Sequence, residues 1–384
     1  MRKKIFLLYP YYWPLFRAGG PVQSLFNLVA NFKDQSDFYL VSLNKDMNGE
    51  APIHQFESDA WSKGPNSENI YFTSAISPTL LFRLISKVKP DLILINGIFH
   101  WHTSFFGFLC GRIKGIKTII SPRGMLQEWG LRRGRIKKKL FLAIFKLLIN
   151  KRSIWHATYD QEKKDILRIF GKDQQVYVAS NIPRIIGHST SISFPDQSGK
   201  IKLVFLSLIN PNKNLHLIID AVNQLSNTYT LDIYGPIIDE NYWKVCKTKI
   251  RNTSVSYKGS IPPWEVPQVI QLYHFFVLPT QGENFGHAIF DALASGVPVV
   301  ISLNTPWKDI DKTKAGFYID IDNPNSLKDL LESISLLSAD DYNAYRTQSL
   351  RYASTYLSSK NYSKEYDFLI GAGDLMTKQT ISAK

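Results

Sequence analysis

LPTQGENFGHAIFDALASGVPVVIS, residues 278–302, joins two apolar runs through a glycine-bearing turn and a helix. An apolar run ends at Thr280, a turn holds Gly282 and Gly286, and a helix is predicted up to Gly296. A second apolar run then begins at Val297. The helix is apolar on nearly every face, with Ala288, Ile289, Phe290, Ala292, Leu293 and Ala294. The exceptions before Ser295 are His287 and Asp291, which stand four apart and therefore share a face. A carboxylate on a buried helix must find hydrogen-bond donors or it is costly. Ligand hydroxyls such as those of a ribose would supply them, and so would a protein partner. Glu283 lies just before the helix, where unpaired N–H groups and the positive dipole end favour a diphosphate. As a plain alternative, Glu283 is a simple cap. The local residues leave both readings open.

Working outward, short apolar runs alternate with amphipathic stretches through most of the chain, the pattern of an α/β protein. KIFLLYP (4–10), DFYLVSL (37–43), DLILING (91–97), KTIISPR (117–123), SIWHATY (153–159) and QVYVASN (175–181) read as buried parallel strands. Helical segments such as 22–32 and 161–170 separate them. A polar stretch at 188–200 breaks the series and reads as a linker. Strands then resume at 201–208, 231–235, 255–259, 275–280 and 297–302, with a helix at 215–225. Two consecutive series of this kind predict two doubly wound Rossmann-like domains. Ligands of such sheets bind at the carboxyl ends of the strands, so a cleft between the domains is the expected site. The predicted boundaries are a first domain over 1–187, a second over 201–350 and a helical tail over 351–384.

The composition agrees with that outline. The chain has 384 residues, 44% of them hydrophobic, too apolar for disorder and long enough for two cores. Cys110 and Cys246 are far apart and form no CxxC, which excludes a disulfide scaffold or a zinc–thiolate site and fits a reducing cytoplasm. MRKKIFLLYP has too short an apolar run for a signal peptide, and LFLAIFKLLI (140–149) is about half the ~20 residues of a span.

The charge is uneven. Residues 1–185 carry 28 Lys and Arg against 13 Asp and Glu, whereas residues 186–384 carry 18 against 19. The densest patch, LRRGRIKKKLFLAIFKLLINKR (131–152), contains nine basic residues. Leu140, Phe141, Ile144, Phe145, Leu147 and Leu148 recur there at helical spacing, giving a greasy face with a basic flank. Such a helix suits an anionic membrane surface. A core-packed helix with a solvated basic edge reads equally well locally. Nucleic acid is disfavoured, because no zinc-finger, RRM or KH pattern accompanies the charge.

GENFGHAIFDALASGVPVV resembles the EGFG and E-x7-E signature of retaining glycosyltransferases of the GT-B fold, glycosyltransferase family 4. Other stretches resemble that family in the same order. AGGPVQSLFNLVANF (18–32) is similar to its glycine loop after the first strand. DLILINGIFH (91–100) and IISPRGMLQEWGLR (119–132) are similar to acceptor-domain strands of polysaccharide-assembly members. FLSLINPNKNLHLIIDAV (205–222) resembles the phosphate-binding start of the nucleotide domain. TPWKDI (305–310) and AGFYI (315–319) resemble the motif after the last signature strand.

The resemblance implies a role for each matching position. Glu283 would hold the donor sugar and the charge developing beside it. The backbone of Asn284, Phe285, Gly286 and His287 would cradle sugar and diphosphate, and Asp291 would bind the nucleotide ribose. Lys213 would neutralise the leaving diphosphate, the kind of charge stabilisation that dominates such transfers. Gly19 and Gly20 would let the first domain's backbone approach the diphosphate. Arg123, near where members place a catalytic histidine, is the third expected catalytic residue. The donor is expected to be a UDP- or GDP-sugar and the reaction metal-independent. A lipid-linked saccharide on the inner face of the cytoplasmic membrane is the expected acceptor, in bacterial surface-polysaccharide assembly.

Two positions depart from the family. Asp291 stands where Glu is usual, and Leu208 stands where an arginine usually precedes the lysine. Rival functions are a nucleotide-sugar epimerase of the same fold and an impaired nucleotide- or glycan-binding homologue. His100 and His102, around Trp101, have no third ligand in view, which points to acceptor contact or packing rather than metal. The Asp309–Asp311 and Asp320–Asp322 tripeptides match a metal-binding pattern of another glycosyltransferase fold, but such tripeptides are common by chance.

Overall fold

A computed structural model of the chain describes residues 2–49, 55–132, 134–149, 153–186, 193–195 and 199–371. The chain forms two compact units. One comprises Met1–Ile182 with Asn361–Lys384, and the other comprises Pro183–Lys360.

The first unit is built on β1 (Lys3–Leu8), β2 (Ser36–Leu43), β3 (Trp61–Lys63), β4 (Asn69–Thr73), β5 (Leu92–Asn96), β6 (Lys117–Ser121), β7 (Ile154–Ala157) and β8 (Gln175–Val178). They form one sheet in the order β3-β4-β2-β1-β5-β6-β7-β8. All pairs are parallel except β3 with β4. Alternation along a strand sends successive side chains to opposite faces. Ile5 and Leu7 of β1 thus enter one apolar cluster, and Phe6 and Leu8 enter the other. A sheet covered on both faces needs continuous apolar strands, and LILIN in β5 is buried at every position.

The second unit holds β9 (Ile201–Leu206), β10 (Tyr229–Tyr234), β11 (Val255–Gly259), β12 (Phe275–Leu278), β13 (Val299–Ser302) and β14 (Gly316–Ile319). All pairs are parallel, in the order β11-β10-β9-β12-β13-β14. The chain order reverses direction between β9 and β12, which opens a crevice at their carboxyl ends. Gly235, just past β10, has φ 135°, and a Cβ there would lie 1.8 Å from the Ser207 carbonyl oxygen. Only glycine lets that loop pass so close to the end of β9.

The chain crosses between units at 182/183 and 360/361, whereas the sequence reading puts the boundaries at 187 and 350. The physical reason at the second crossing is a continuous helix, Ala339–Ser358. Its Tyr342, Ser349 and Ala353 are buried on the second unit, and the Ser349 hydroxyl donates to the Ala315 carbonyl at 3.0 Å. Beyond Lys360 the chain joins the first unit, where Tyr366 packs on Phe32 and Phe368 stacks on Tyr177. Of the expected linker, residues 188–192 and 196–198 lie outside the described residues, as does the segment after 371. Phe194 packs on Tyr342 and His274 of the second unit.

Among the described residues, no helix is long and apolar enough to cross a membrane. The basic patch forms the helix Arg135–Leu148; positions 133 and 150–152 of the patch lie outside the described residues. Its apolar residues divide between two faces, rather than forming the one greasy face expected. Phe141, Leu142 and Phe145 are buried, whereas Ile136, Leu140 and Leu147 are 84%, 61% and 83% exposed.

Candidate functional site

The crevice of the second unit is formed by two loops. One, residues 207–214, leaves β9; the other, residues 279–286, leaves β12 and leads into the helix His287–Ala294. Several hydrogen bonds stitch them together. The Asn214 side-chain amide donates to the Pro279 carbonyl at 2.9 Å, and the Gln281 N–H donates to the Asn212 carbonyl at 2.8 Å. The Asn212 amide donates to the Gly282 carbonyl at 3.2 Å. Asn210 begins the short turn Pro211–Lys213 by accepting the Asn212 N–H at 3.0 Å, so asparagines at three alternate positions shape one loop against the other.

This stitching brings Lys213 against Glu283. The Lys213 ammonium donates to Glu283 Oε1, and the two side chains are 11% and 14% exposed. The pair is dry enough for the charges to act strongly, yet remains open on one side. The Glu283 N–H donates to the Asn304 carbonyl at 3.1 Å, which fixes the loop to the chain leaving β13.

Next along the chain, Asn284 is half-buried and Phe285 is buried. The Trp307 indole donates to the Phe285 carbonyl at 2.6 Å, and its ring packs on Phe285 and Phe290. His287 packs on Phe285, with ring centres 4.8 Å apart. Gly286 caps the helix at φ 78°, a left-handed turn that a β-carbon would strain.

Asp291 sits one turn into the helix and is 5% exposed. No donor among the described residues reaches its carboxylate. Burial pushes its carboxyl up to about 6, against the pull of the Arg184 guanidinium. Arg184 itself donates to the Pro263 carbonyl. A carboxylate left in this state is poised for ligand hydroxyls. Arg184 was not among the residues expected here, because the sequence places position 184 in the first domain, whereas it belongs to the second unit.

Seven of the ten expected site residues therefore lie on these two loops and the helix that follows. Gly19, Gly20 and Arg123 belong to the first unit. Gly19, with φ 74°, precedes the helix Gly20–Phe32. Arg123 follows β6 with φ 56°, is 6% exposed, and donates to Asn96 Oδ1 and Asn181 Oδ1. Below it, Glu162 accepts from the Gly124 N–H and from the Thr158 N–H and hydroxyl, and burial raises its carboxyl above the ordinary range. His100 packs edge-on against Tyr9, and burial lowers its imidazole to about 4. His102 packs on Phe106 instead, so the two histidines do not act together. Among the described residues, no group of three His, Cys, Asp or Glu is placed to hold a metal ion.

Known proteins match both the sequence and the fold. Residues 191–349 match the family described as Glycosyl transferases group 1. The O-antigen chain mannosyltransferase B of Escherichia coli is 27% identical over 114 residues, a match spanning 28% of this chain and 30% of that relative. The sucrose-phosphate synthase tll1590 of Thermosynechococcus elongatus has a TM-score of 0.69 at 14% identity, over 100% of each chain. Anabaena Alr3699/HepE in complex with UDP-glucose gives 0.69 at 16% identity, again over 100% of each chain. The fold is that of the GT-B glycosyltransferases, and residues 191–349 carry a group 1 glycosyl transferase domain.

Proposed function

We propose that this chain is a retaining glycosyltransferase that moves a sugar from a nucleoside-diphosphate sugar, with UDP or GDP as the nucleotide, to a saccharide acceptor. One observation carries the reading: Asp291 is almost wholly buried and without a hydrogen-bond donor among the described residues, on the helix just after the Lys213–Glu283 pair. In this scheme Asp291 accepts hydrogen bonds from the two ribose hydroxyls. Glu283 orients the donor sugar, and the backbone from Asn284 to His287 lies along the diphosphate. The acceptor hydroxyl attacks the anomeric carbon on the face the diphosphate leaves. The carbon–oxygen bond to the acceptor forms as the bond to the phosphate breaks, and a phosphate oxygen takes the hydroxyl proton. Lys213 neutralises the departing diphosphate, with no metal in the scheme. Gly19 and Gly20 of the first unit keep the diphosphate role that the family resemblance implies. Arg123, expected among the catalytic residues, acts here through the two asparagines it holds.

The acceptor is proposed to be a lipid-linked saccharide of surface-polysaccharide assembly, in keeping with the O-antigen relative. On the helix Arg135–Leu148, Ile136, Leu140 and Leu147 project outward between Lys137, Lys139 and Lys146. That face matches the chemistry of an anionic bilayer, which supports a peripheral position on the inner membrane surface.

Thermal unfolding with UDP, GDP, ADP and CMP tests the donor site. One diphosphate at a hundred times its Kd should add about 2.7 kcal/mol of stability, and Asp291→Ala should abolish that gain. No gain with any nucleotide would overturn the reading.

A further inference from the structure

The second unit has another concave surface. It lies between residues 306–314 and the C-terminal half of the helix Ala339–Ser358, as an open groove of about 730 Å³. Lys308, Lys312, Lys314 and Arg351 line it, against the single carboxylate of Asp309. In a half of the chain with 18 basic and 19 acidic residues, that concentration of charge is local. Lys312 is engaged by Asp309 at 2.7 Å, and Lys308 donates to the Leu303 carbonyl at 3.0 Å. The side chains of Lys314 and Arg351 have no ion pair or hydrogen bond among the described residues.

The remaining lining restricts the ligand. Gln348 and Thr355 add amide and hydroxyl groups to the lining, and Thr313, whose hydroxyl donates to the Asp309 carbonyl at 2.8 Å, keeps its oxygen as an acceptor. Tyr352 and Tyr356 form an apolar wall, but both are already packed on Trp307, with ring centres at 6.3 and 5.0 Å. Lys360 stands over the Tyr356 ring at 5.3 Å. A nucleobase, which needs a free ring face for stacking, is poorly served by such a wall.

From these features we propose that the groove binds an acidic oligosaccharide, with Lys314 and Arg351 taking its carboxylate or phosphate groups. The inference rests on the glycosyltransferase reading, and it adds a saccharide-binding surface outside the proposed donor site. A growing acidic glycan held there would stay on the enzyme between encounters.

Calorimetric titration of the full chain tests this with four probes: trigalacturonate, phosphorylated maltotriose, neutral maltotriose and an eight-nucleotide oligothymidylate. The trigalacturonate or the phosphorylated maltotriose should bind at one site, at least tenfold more tightly than neutral maltotriose. Whichever of them binds identifies the charged group. The double variant Lys314→Ala/Arg351→Ala, both exposed side-chain changes, should lose at least tenfold in that affinity while keeping its melting temperature. Asp291→Asn should bind the acidic saccharide as the parent does, so a failed nucleotide test leaves this one intact. Equal affinity in parent and double variant, binding of neither acidic saccharide, or tighter binding of the oligothymidylate would each overturn the proposal.

Discussion

The two sheets reverse chain order in the same way, but their carboxyl ends are finished differently. In the first unit the charged groups at the end of β6 are held by internal hydrogen bonds. Arg123 is held by Asn96 and Asn181, and Glu162 accepts three donors. In the second unit the end of β12 carries a carboxylate with no donor and an ion pair open on one side. Similar topology thus supplies an end whose charged groups are mostly engaged by the protein in one case, with Arg123 Nη2 and the Ser121 hydroxyl left without a hydrogen-bond partner among the described residues, and a buried carboxylate with no donor among them in the other. The second unit's end is where binding free energy is available, since a ligand gains there what the protein has not already made.

The largest expected effect tests the second unit's end. Lys213→Ala should lower turnover 100- to 1000-fold, or about 3–4 kcal/mol, by removing the charge opposite the leaving diphosphate. Steady-state rates with the preferred donor would measure it, and a fall under threefold would sink the assignment.

The next effect concerns pH. The Asp291 carboxyl is raised from 3.8 to about 6 in the folded chain. The folded state therefore holds this proton more tightly than the unfolded one. Its stabilising contribution is complete below pH 4 and is lost as pH rises through 6. Asp291→Asn should accordingly stabilise the ligand-free protein by about 3 kcal/mol at pH 8 and by little at pH 4. The same change should weaken nucleotide binding. In the parent, affinity for the diphosphate should fall as pH drops below 6, because a protonated Asp291 accepts poorly. Paired thermal unfolding at the two pH values separates these effects.

The smallest effect belongs to the first unit's end. Arg123→Lys keeps the charge but not the fork that spans both asparagines, leaving one of them without its donor. A loss of about 1–2 kcal/mol in stability is expected, with nucleoside-diphosphate affinity unchanged. Reduced nucleotide affinity at an unaltered melting temperature would instead place the guanidinium at the donor.

How legible these ends were in the sequence follows from the range of the interactions. The helix at 287–294 and the strands on either side of it are local patterns, and they appear within two residues of their predicted limits. The strands β3, β4 and β14 were not read, whereas equally short strands such as β12 and β13 were, because those sit in longer apolar runs while β3 (Trp61–Lys63) is short and only partly buried. Asp291 was legible as a lone carboxylate on an apolar helix. The contact between Lys213 and Glu283 spans 70 residues, so only the family resemblance joined them. Arg184 was invisible as a neighbour of Asp291, because nothing local marks the crossing at 182/183.

The return of the chain at 361 has a consequence for synthesis. Tyr366 covers Phe32 and His156, and its hydroxyl donates to the Ser180 carbonyl at 3.0 Å. Glu365 accepts the Ser180 N–H at 2.7 Å. A ribosome emits residues 2–182 before residues 361–370, so that unit lacks part of its apolar cover until the later segment is made. The second unit, contiguous from 183 to 360, has no such wait and can complete its core first. The N-terminal half is thus the last to close, and a stop codon near position 360 would leave it open on the face that Phe32 and Tyr177 occupy.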